Sequence, residues 1–261
     1  IITEVTFYTI SVQAFLLGKT TMLRKALIAV TLGSSLLFST MPSYAEDDLN
    51  DFRSQLNNEW QLVKNDRMRN LKTYARLEDG KRYRSFKVEA ILEAPVEAVA
   101  RVLLDFDHYT RWFWKTRESK LIRQGSPTEY FVYMVHDAPY GLPDRDTVIK
   151  GTIDPQTKNK HYVTLKVTAV PNMLPTKPPL VRMVAEEIHI KFTPIGDNKV
   201  EMVTEGYFGP GGVVPAWAAN FVQRSAPYAV MLALQRMTEK EEYLKAKTPL
   251  PFEIYEFKDY K

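Results

Sequence analysis

The chain has 261 residues, of which 45% are hydrophobic and 25% charged, a composition that is typical of a globular protein and too apolar for a disordered one. It contains no cysteine, which excludes disulfide bonds, thiolate catalysis and thiolate-bound metal ions. The formal net charge is only +4 and the basic residues form no long run, so the sequence does not indicate a nucleic-acid partner.

Residues 22–45 have the pattern of a secretory signal peptide. Arg24 and Lys25 form a positive start, and a short apolar stretch follows them. Ser43 and Ala45 then place small residues where signal peptidase cleaves. A membrane anchor is the alternative, but the apolar stretch is too short to cross a hydrocarbon core of about 30 Å. We therefore expect cleavage after Ala45.

This boundary leaves residues 46–261 as a single domain. Residues 1–21 precede Met22, where the signal pattern starts, and we interpret them as an over-extended start of the chain. No repeat, low-complexity segment or Gly/Ser-rich linker divides the remainder. We expect a bacterial protein that is periplasmic or secreted, and a monomer.

The first part of this domain mixes helix and strand patterns. Apolar residues at spacings of three and four predict a helix over residues 47–70. Strict alternation over residues 86–92 predicts a strand. Pro95 ends that strand and precedes a helical pattern that runs from Val96 to Trp112.

Strand patterns dominate the second part. They cover residues 120–123, 129–137, 146–153, 161–170, 181–192 and 199–208. A long helical pattern begins next to Pro215 and follows the last strand. Consecutive strands followed by one long helix predict an α+β fold, in which an antiparallel sheet of seven or eight strands carries the helix on one face.

The segment from Tyr130 to Val135 is apolar on both faces of its predicted strand. The outer face of a one-sided sheet should be polar. Two explanations remain open: helices cover the strand on both sides, or a curved sheet lines an apolar cavity with its concave face.

Several segments, taken in order, resemble a START domain of the lipid-transfer type. The segments are "VEAILEAPVEAVARVLLDFDHYTRW", "FVYMVHDAPYGLPDRDTVIKGTI" and the run from "LVRMVAEEIHIKF" to "GPGGVVPAWAANFVQRSAPYAVMLALQRM". They share with this family a strand followed by Pro and a helix, a tyrosine-rich strand, a "PDRD" turn, a "VRM" strand and a "GGxxPAW" start of the last helix. The resemblance covers roughly Trp60 to Leu244.

The resemblance implies a helix-grip fold, in which a curved antiparallel sheet wraps around the C-terminal helix and encloses a hydrophobic tunnel. It implies that the helix acts as a lid whose hinge contains Gly209, Gly211 and Gly212, since glycine adopts backbone angles that other residues resist. Trp217, Phe221 and Tyr228 share one stripe of that helix, which Met231 widens.

Apolar cavities fix their ligands with a few placed polar groups, so we expect a few such groups among the apolar contacts of the tunnel. The candidate ligand contacts are Tyr133, Arg182, Val184, Glu186, Tyr207, Trp217, Phe221, Tyr228 and Met231. Arg182 and Glu186 fall on one face of a single predicted strand, where a charge must be paired or directed at a ligand. Pairing of Arg182 with a carboxylate alone is the alternative. For Arg145 we expect a structural salt bridge to Asp144 or Asp146.

The segment from Val170 to Val181 contains four prolines and is a second candidate for movement. START-type proteins place gating loops near the lid, so Met173 and Leu174 become candidates for an exposed loop tip that contacts a membrane. A stiff Pro-rich connection without a gating role is an equal alternative.

No catalytic or metal-binding pattern stands out in the sequence. The histidines lack metal-ligand spacing, and no nucleophile elbow or phosphate loop is present, so we expect no metal and no cofactor. The predicted function is binding and transfer of a hydrophobic ligand, such as a phospholipid, a fatty acid or another lipid. The alternative is an enzyme of the cyclase, aromatase or hydrolase kind in the same cavity, with Glu186 and either His136 or Tyr133 as acid and base.

Overall fold

The computed structural model describes residues 59–78, 80–139 and 141–260. The signal peptide, residues 1–21 and the first part of the predicted 47–70 helix lie outside these residues. Those interpretations therefore stay predictions.

A single sheet of ten strands forms the frame of the fold. The strands are β1 (Gln61–Asp66), β2 (Leu71–Arg76), β3 (Ser85–Leu92), β4 (Thr116–Ser126), β5 (Glu129–His136), β6 (Arg145–Asp154), β7 (Val163–Ala169), β8 (Val181–Arg182), β9 (Ala185–Gly196) and β10 (Lys199–Gly209). Their order across the sheet is β1-β2-β3-β10-β9-β7-β6-β5-β4, with every neighbouring pair antiparallel. The short β8 pairs in parallel with β6. The sheet therefore has more strands than the seven or eight predicted.

The prediction of a helix over residues 47–70 is wrong for the part that the structure describes. Residues 61–66 form β1, an exposed edge strand that pairs with β2, and a 3-10 turn over Arg67–Arg69 connects the two. Asn70 ends this turn in the left-handed region at φ 48°, and Asp66 accepts a hydrogen bond from the backbone N–H of Arg69. The neighbouring strand supplies the backbone hydrogen bonds, so the tertiary context overrides a weak helical spacing.

Helices cover one face of the sheet. They are α1 (Val96–Leu104), α2 (Ala216–Thr238) and the single turn α3 (Glu241–Leu244), and a 3-10 segment over Phe106–Arg111 extends α1. The main core lies between the helices α1 and α2 and the facing residues of β2, β3, β5, β6, β7, β9 and β10. Leu92, Val102, Val200 and Leu234 are almost completely buried there. Full burial of one such side chain contributes about 1.5–3 kcal/mol.

The far side of β5 is covered by a loop. Tyr133, Val135 and Val148 form a second small core, against which Met173 and Leu174 pack. These contacts explain why β5 is apolar on both faces, and the cover on this side is a loop with a 3-10 turn over Pro171–Met173, not an α-helix or a cavity. Met173 and Leu174 are half-buried, so the prediction that they form an exposed membrane-contacting tip is wrong.

The C-terminal segment folds back onto α1 and onto the turn between β6 and β7. The Glu256 carboxylate accepts hydrogen bonds from the backbone N–H groups of Val96 and Glu97, at 3.2 and 3.1 Å. This carboxylate therefore caps the N-terminus of α1, where Pro95 provides no side-chain cap. Gln156 exchanges two hydrogen bonds with the backbone of Tyr255 and fixes the same segment.

Candidate ligand cavity

A cavity of about 240 Å³ lies between the sheet and α2, and we call it the ligand cavity. Its wall is formed by inward-facing residues of β3, β9 and β10, by the end of α1 and the residues after it, by residues 136–145 and by one face of α2. The wall is almost entirely apolar. Its clearly polar members are His136, Asp137, Arg145, Glu186, Thr204 and Gln223.

The cavity exists because the inner face of α2 carries small side chains. Ala218, Ala219, Val222 and Ala226 are part of the wall at successive turns of the helix, and Pro227 lies beside them. Small residues leave space that larger residues would fill in a close-packed interior. Further along α2, Met231 and Leu234 close the space against the core.

The predicted helix stripe is therefore displaced around the helix. Among its members Met231 lies on the wall, whereas Trp217 and Phe221 are exposed and Tyr228 lies beside the wall. The Tyr228 hydroxyl donates to Asp66 Oδ2 at 2.7 Å, and the Lys64 ammonium lies 3.3 Å from the centre of its ring. Tyr228 thus joins α2 to the β1 edge of the sheet.

Of the five predicted sheet contacts, Glu186 is the one on the cavity wall. Tyr133 is completely buried in the second core, and Tyr207 points to the opposite face of β10, where Lys81 lies over its ring. Val184 is exposed because it lies in the short connection between β8 and β9, where the strand is interrupted. The alternation that placed Arg182 and Val184 on the face of Glu186 does not carry across this break.

Arg182 uses all of its donors in contacts with the protein. Its Nε and Nη2 donate to the two carboxylate oxygens of Asp146 at 3.0 and 2.8 Å. The remaining N–H groups donate to the backbone carbonyls of Pro171, Leu174 and Pro175. An arginine has five N–H donors, so none is left for a ligand head group. Arg182 is therefore paired with a carboxylate, which was the alternative to a ligand contact, and it does not bind a ligand head group.

Glu186 has the most unusual environment of any carboxyl on this wall. Its side chain is buried and accepts one hydrogen bond, from the Thr147 hydroxyl at 3.1 Å. Burial raises the pKa of Glu186 to about 7, because an ionised carboxyl is poorly solvated among apolar side chains, and the Thr147 hydrogen bond only partly opposes this shift. Glu186 can therefore hold or release a proton near neutral pH.

His136 and Arg145 also lie on the cavity wall, opposite each other on β5 and β6. Burial lowers the pKa of His136 to about 4, so its ring is neutral at pH 7, and its Nδ1 lies 3.0 Å from the Thr116 hydroxyl. Arg145 donates to the backbone carbonyl of Pro143. The salt bridge predicted for Arg145 is not formed, since Asp144 pairs with Arg117 and Asp146 pairs with Arg182. The register of β5 and β6 places His136 opposite Arg145. The alternating pattern of the two strands is the feature of the sequence from which this pairing could have been predicted.

The glycine segment before α2 contacts the strand that carries Arg182. Gly211 and Gly212 have φ of +67° and +58°. A Cβ at Gly211 would lie 2.2 Å from the Arg182 carbonyl oxygen, so this close approach requires glycine. Pro210 and Val214 in the same segment lie on the cavity wall. The predicted hinge is thus located at one end of the cavity, and its movement stays a prediction.

Exposed apolar side chains surround this end of the cavity. Val213 is 85% exposed, Val184 61%, Trp217 49% and Phe221 39%. They follow the glycine segment and the first two turns of α2, and the Val184 N–H donates to the Gly209 carbonyl at 3.1 Å. We call these four residues the apolar rim.

The described residues contain no cluster of histidine, aspartate and glutamate that could hold a metal ion. None of the helices in this part of the chain has both the length and the hydropathy that a membrane span requires.

A family model described as "Polyketide cyclase / dehydrase and lipid transport" matches residues 83–239. This match spans more than half of the chain and includes the strands of the cavity wall and all of α2. The chain belongs to this family. The START-like resemblance and the helix-grip fold are confirmed by the same match and by solved structures.

Among solved structures, the STAR-related lipid transfer protein from Xanthomonas axonopodis (fragment 25–204) is 27% identical, with a TM-score of 0.63 over 69% of this chain and 99% of that one. Human STARD10 is 20% identical, with a TM-score of 0.62 over 80% of this chain and 84% of that one. Human StAR-related lipid transfer protein 5 is 16% identical, with a TM-score of 0.57 over 74% and 92% of the two chains. The two human structures show the fold alone. No curated protein matches the chain significantly.

Proposed function

We propose that this member of the family binds a lipid in the ligand cavity and transfers it between membranes of the bacterial periplasm. The observation that carries the proposal is the cavity itself, about 240 Å³ of apolar space beneath α2. Protein interiors are normally close-packed. An unfilled apolar space of this size leaves its lining side chains without packing partners, which is unfavourable. A hydrophobic ligand that fills the space offsets that cost.

The size of the cavity favours a ligand with one chain or a compact ring system. Pockets for drug-sized ligands measure about 300–1,000 Å³, and this cavity is smaller. A fatty acid or a similar single-chain lipid therefore suits this space better than a two-chain lipid does. A phospholipid with two chains requires α2 to move away from the sheet, and Gly211 and Gly212 provide backbone freedom at the root of this helix.

The apolar rim supports transfer at a membrane surface. Exposed groups of apolar residues mark sites that contact a membrane or another protein. In this protein they lie at the root of α2, next to Pro210 and Val214 of the cavity wall. A lipid that leaves the cavity at this end enters the membrane without crossing water. The rim replaces Met173 and Leu174 as the proposed contact.

Native mass spectrometry of protein purified from the periplasm, followed by organic extraction, tests the proposal. We expect a defined lipid mass that is released on denaturation. A protein that carries no lipid, and that also takes up none from vesicles, would contradict it.

One observation favours a second candidate function. Glu186 and His136 both line the cavity, Glu186 with a pKa of about 7 and His136 with a neutral ring. A neutral imidazole can act as a general base and a protonated carboxyl as a general acid, and a cyclase or dehydrase could use such a pair. Tyr133 is excluded from this role because it is buried on the other side of the sheet. A change in the mass of an added ligand that is lost in Glu186→Gln would support this enzyme, and an unchanged ligand supports the carrier.

A further inference from the structure

Two side chains on the wall of the ligand cavity bury a polar atom that has no partner within the protein. They are Trp112, whose Nε1 is buried, and Thr204, whose Oγ1 is buried. Trp112 is 8% exposed and Thr204 6% exposed. A buried donor without an acceptor destabilises a fold, so each such atom needs an explanation.

The Trp112 indole is held in place by its neighbours. Its ring packs against Tyr109 at 5.1 Å and against Phe113 at 5.4 Å, both edge to face. Its backbone N–H donates to the Tyr109 carbonyl at 3.1 Å. The indole N–H is a donor and never an acceptor. The atom that satisfies it from within the cavity must therefore be a hydrogen-bond acceptor.

Thr204 lies in the centre of the sheet, where its neighbours offer no polar side chain. Its register partners are Val88 on β3 and Ile190 on β9, and both are apolar residues of the cavity wall. Valine has nearly the same shape as threonine and would bury no polar atom here. The hydroxyl thus weakens the empty protein and becomes useful when a ligand oxygen reaches it.

Thr204 is well separated from the charged end of the cavity. Glu186 is the register partner of Phe208, which is four residues from Thr204 along β10. At about 3.3 Å per residue, Thr204 lies roughly 13 Å along the sheet from the level of Glu186. Arg145 belongs to the Glu186 end, because Thr147, two residues further along β6, donates to Glu186. The Thr204 hydroxyl is neutral and its register partners are apolar, and a carboxylate buried against a neutral donor alone is unfavourable.

We infer that the cavity selects a neutral lipid with an oxygen inside its apolar body, as in a long-chain ketone, an ester or a ring alcohol, and that Thr204 and Trp112 each offer a neutral hydrogen bond to such an oxygen at a different place on the wall. The inference rests on the proposed function, because it assumes that the cavity holds a lipid.

The test compares three ligands of equal length: pentadecane, 8-pentadecanone and pentadecanoic acid. Each displaces the neutral fluorescent probe N-phenyl-1-naphthylamine from the full-length protein. For the wild-type protein we expect the ketone to bind about tenfold more tightly than the alkane, which corresponds to one or two net hydrogen bonds. The carboxylic acid should bind more weakly than the ketone at pH 8, where it is ionised.

Two variants assign the effect to the residues. Thr204→Val and Trp112→Phe should each reduce the ratio of ketone to alkane affinity at least threefold. Thr73→Val is the matched control, because the Thr73 hydroxyl is also buried without a partner but lies on β2, away from the cavity wall. This control should leave the ratio unchanged. Because Thr204→Val keeps the shape of the side chain, it should fold even if Trp112→Phe does not.

The outcomes separate the two proposals. If the alkane and the ketone bind equally well, or if Thr204→Val leaves their ratio unchanged, the inference is overturned while lipid binding stands. If none of the three ligands displaces the probe, the proposed function fails and the inference fails with it.

Discussion

Arg182 and Asp146 form a buried, two-pronged ion pair between β8 and β6, with Nε–Oδ1 and Nη2–Oδ2 distances of 3.0 and 2.8 Å. The other N–H groups of the same guanidinium hold three backbone carbonyls of the 170–180 loop. Arg182 therefore fixes this loop over the second core and, through the carbonyl that approaches Gly211, contacts the root of α2. A residue expected to bind a ligand is instead the centre of a structural network.

Arg182→Ala should destabilise the protein by about 3–5 kcal/mol, because it leaves Asp146 as an unpaired buried charge. Urea unfolding measures this loss, and limited proteolysis should show faster cleavage within the 170–180 loop. Arg111→Ala is the control, since Arg111 pairs with Glu242 on the surface at 2.6 Å. It should change the midpoint far less, because exposed ion pairs contribute little. Equal midpoints for both variants would contradict the role of Arg182.

Most strands of this fold were predictable from sequence because each has a buried face. From β3 onward the alternation and the turn residues mark most strands to within a few positions, although the pattern predicts β8 and β9 as one strand over residues 181–192. The edge strand β1 is polar and exposed, and its backbone partner is the only feature that makes it a strand. Such pairing is not visible in local periodicity.

The cavity wall was less predictable than the fold. Periodicity shows that Trp217 and Phe221 share a face of α2, but it does not show which face meets the sheet, since this helix is apolar on more than one side. Large aromatic residues suggested a contact surface, whereas a cavity needs small residues such as Ala218 and Ala226. Arg182 was misassigned because its partner Asp146 is 36 residues away in the sequence.

Glu186 should make stability fall as the pH rises from about 4.5 to 7. Its pKa is about 7 in the folded protein and near 4.5 in the unfolded chain, so the folded state keeps a proton that the unfolded state has lost. The difference corresponds to about 3 kcal/mol. The unfolding free energy of Glu186→Gln minus that of the wild-type protein should therefore increase by up to this amount between pH 4 and pH 8. Urea titrations at several pH values measure it, and a constant difference would contradict the buried carboxyl.

His136 should act in the opposite direction. Burial lowers its pKa from 6.5 to about 4, so the folded protein resists protonation and loses stability as the pH falls through this range. This effect should cost the wild-type protein about 3 kcal/mol of stability between pH 6.5 and pH 4. The His136→Gln variant should not show this loss. The measurement is the difference in unfolding free energy between variant and wild type at each pH. A constant difference between His136→Gln and the wild-type protein across this pH range would contradict the buried imidazole.

Ala226→Trp should abolish ligand binding without unfolding the protein. Ala226 lies on the cavity wall, so an indole at this position occupies the space that a lipid needs. Because the cavity has room for it, the cost should stay below the 1–3 kcal/mol that is usual for overpacking. Native mass spectrometry measures the bound lipid. Ala216→Trp adds the same side chain at an exposed position of the same helix and should keep the ligand.

Gly211→Ala should destabilise the root of α2 more than a backbone effect alone would. Its φ of +67° is unfavourable for alanine, and the new Cβ would also meet the Arg182 carbonyl oxygen at 2.2 Å. We expect a loss of about 2–4 kcal/mol, since both mechanisms act together. Gly80→Ala has a similar φ of +77° but open space around its Cβ, and should lose only about 1 kcal/mol. Thermal unfolding compares the two, and equal losses would rule out the close contact.

Val213→Asp should slow lipid transfer and leave equilibrium binding intact. Val213 is the most exposed member of the apolar rim, and it does not line the cavity. A carboxylate at this position disfavours contact with the apolar part of a membrane. In a vesicle-to-vesicle assay with a fluorescent lipid, the transfer rate should fall at least threefold, while the lipid bound per protein molecule stays constant. Met68→Asp is a matched control on the β1–β2 turn, where the side chain is 95% exposed far along the sheet from the rim. If both variants transfer lipid at the wild-type rate, the rim does not contact the membrane, and the ligand leaves the cavity by another path.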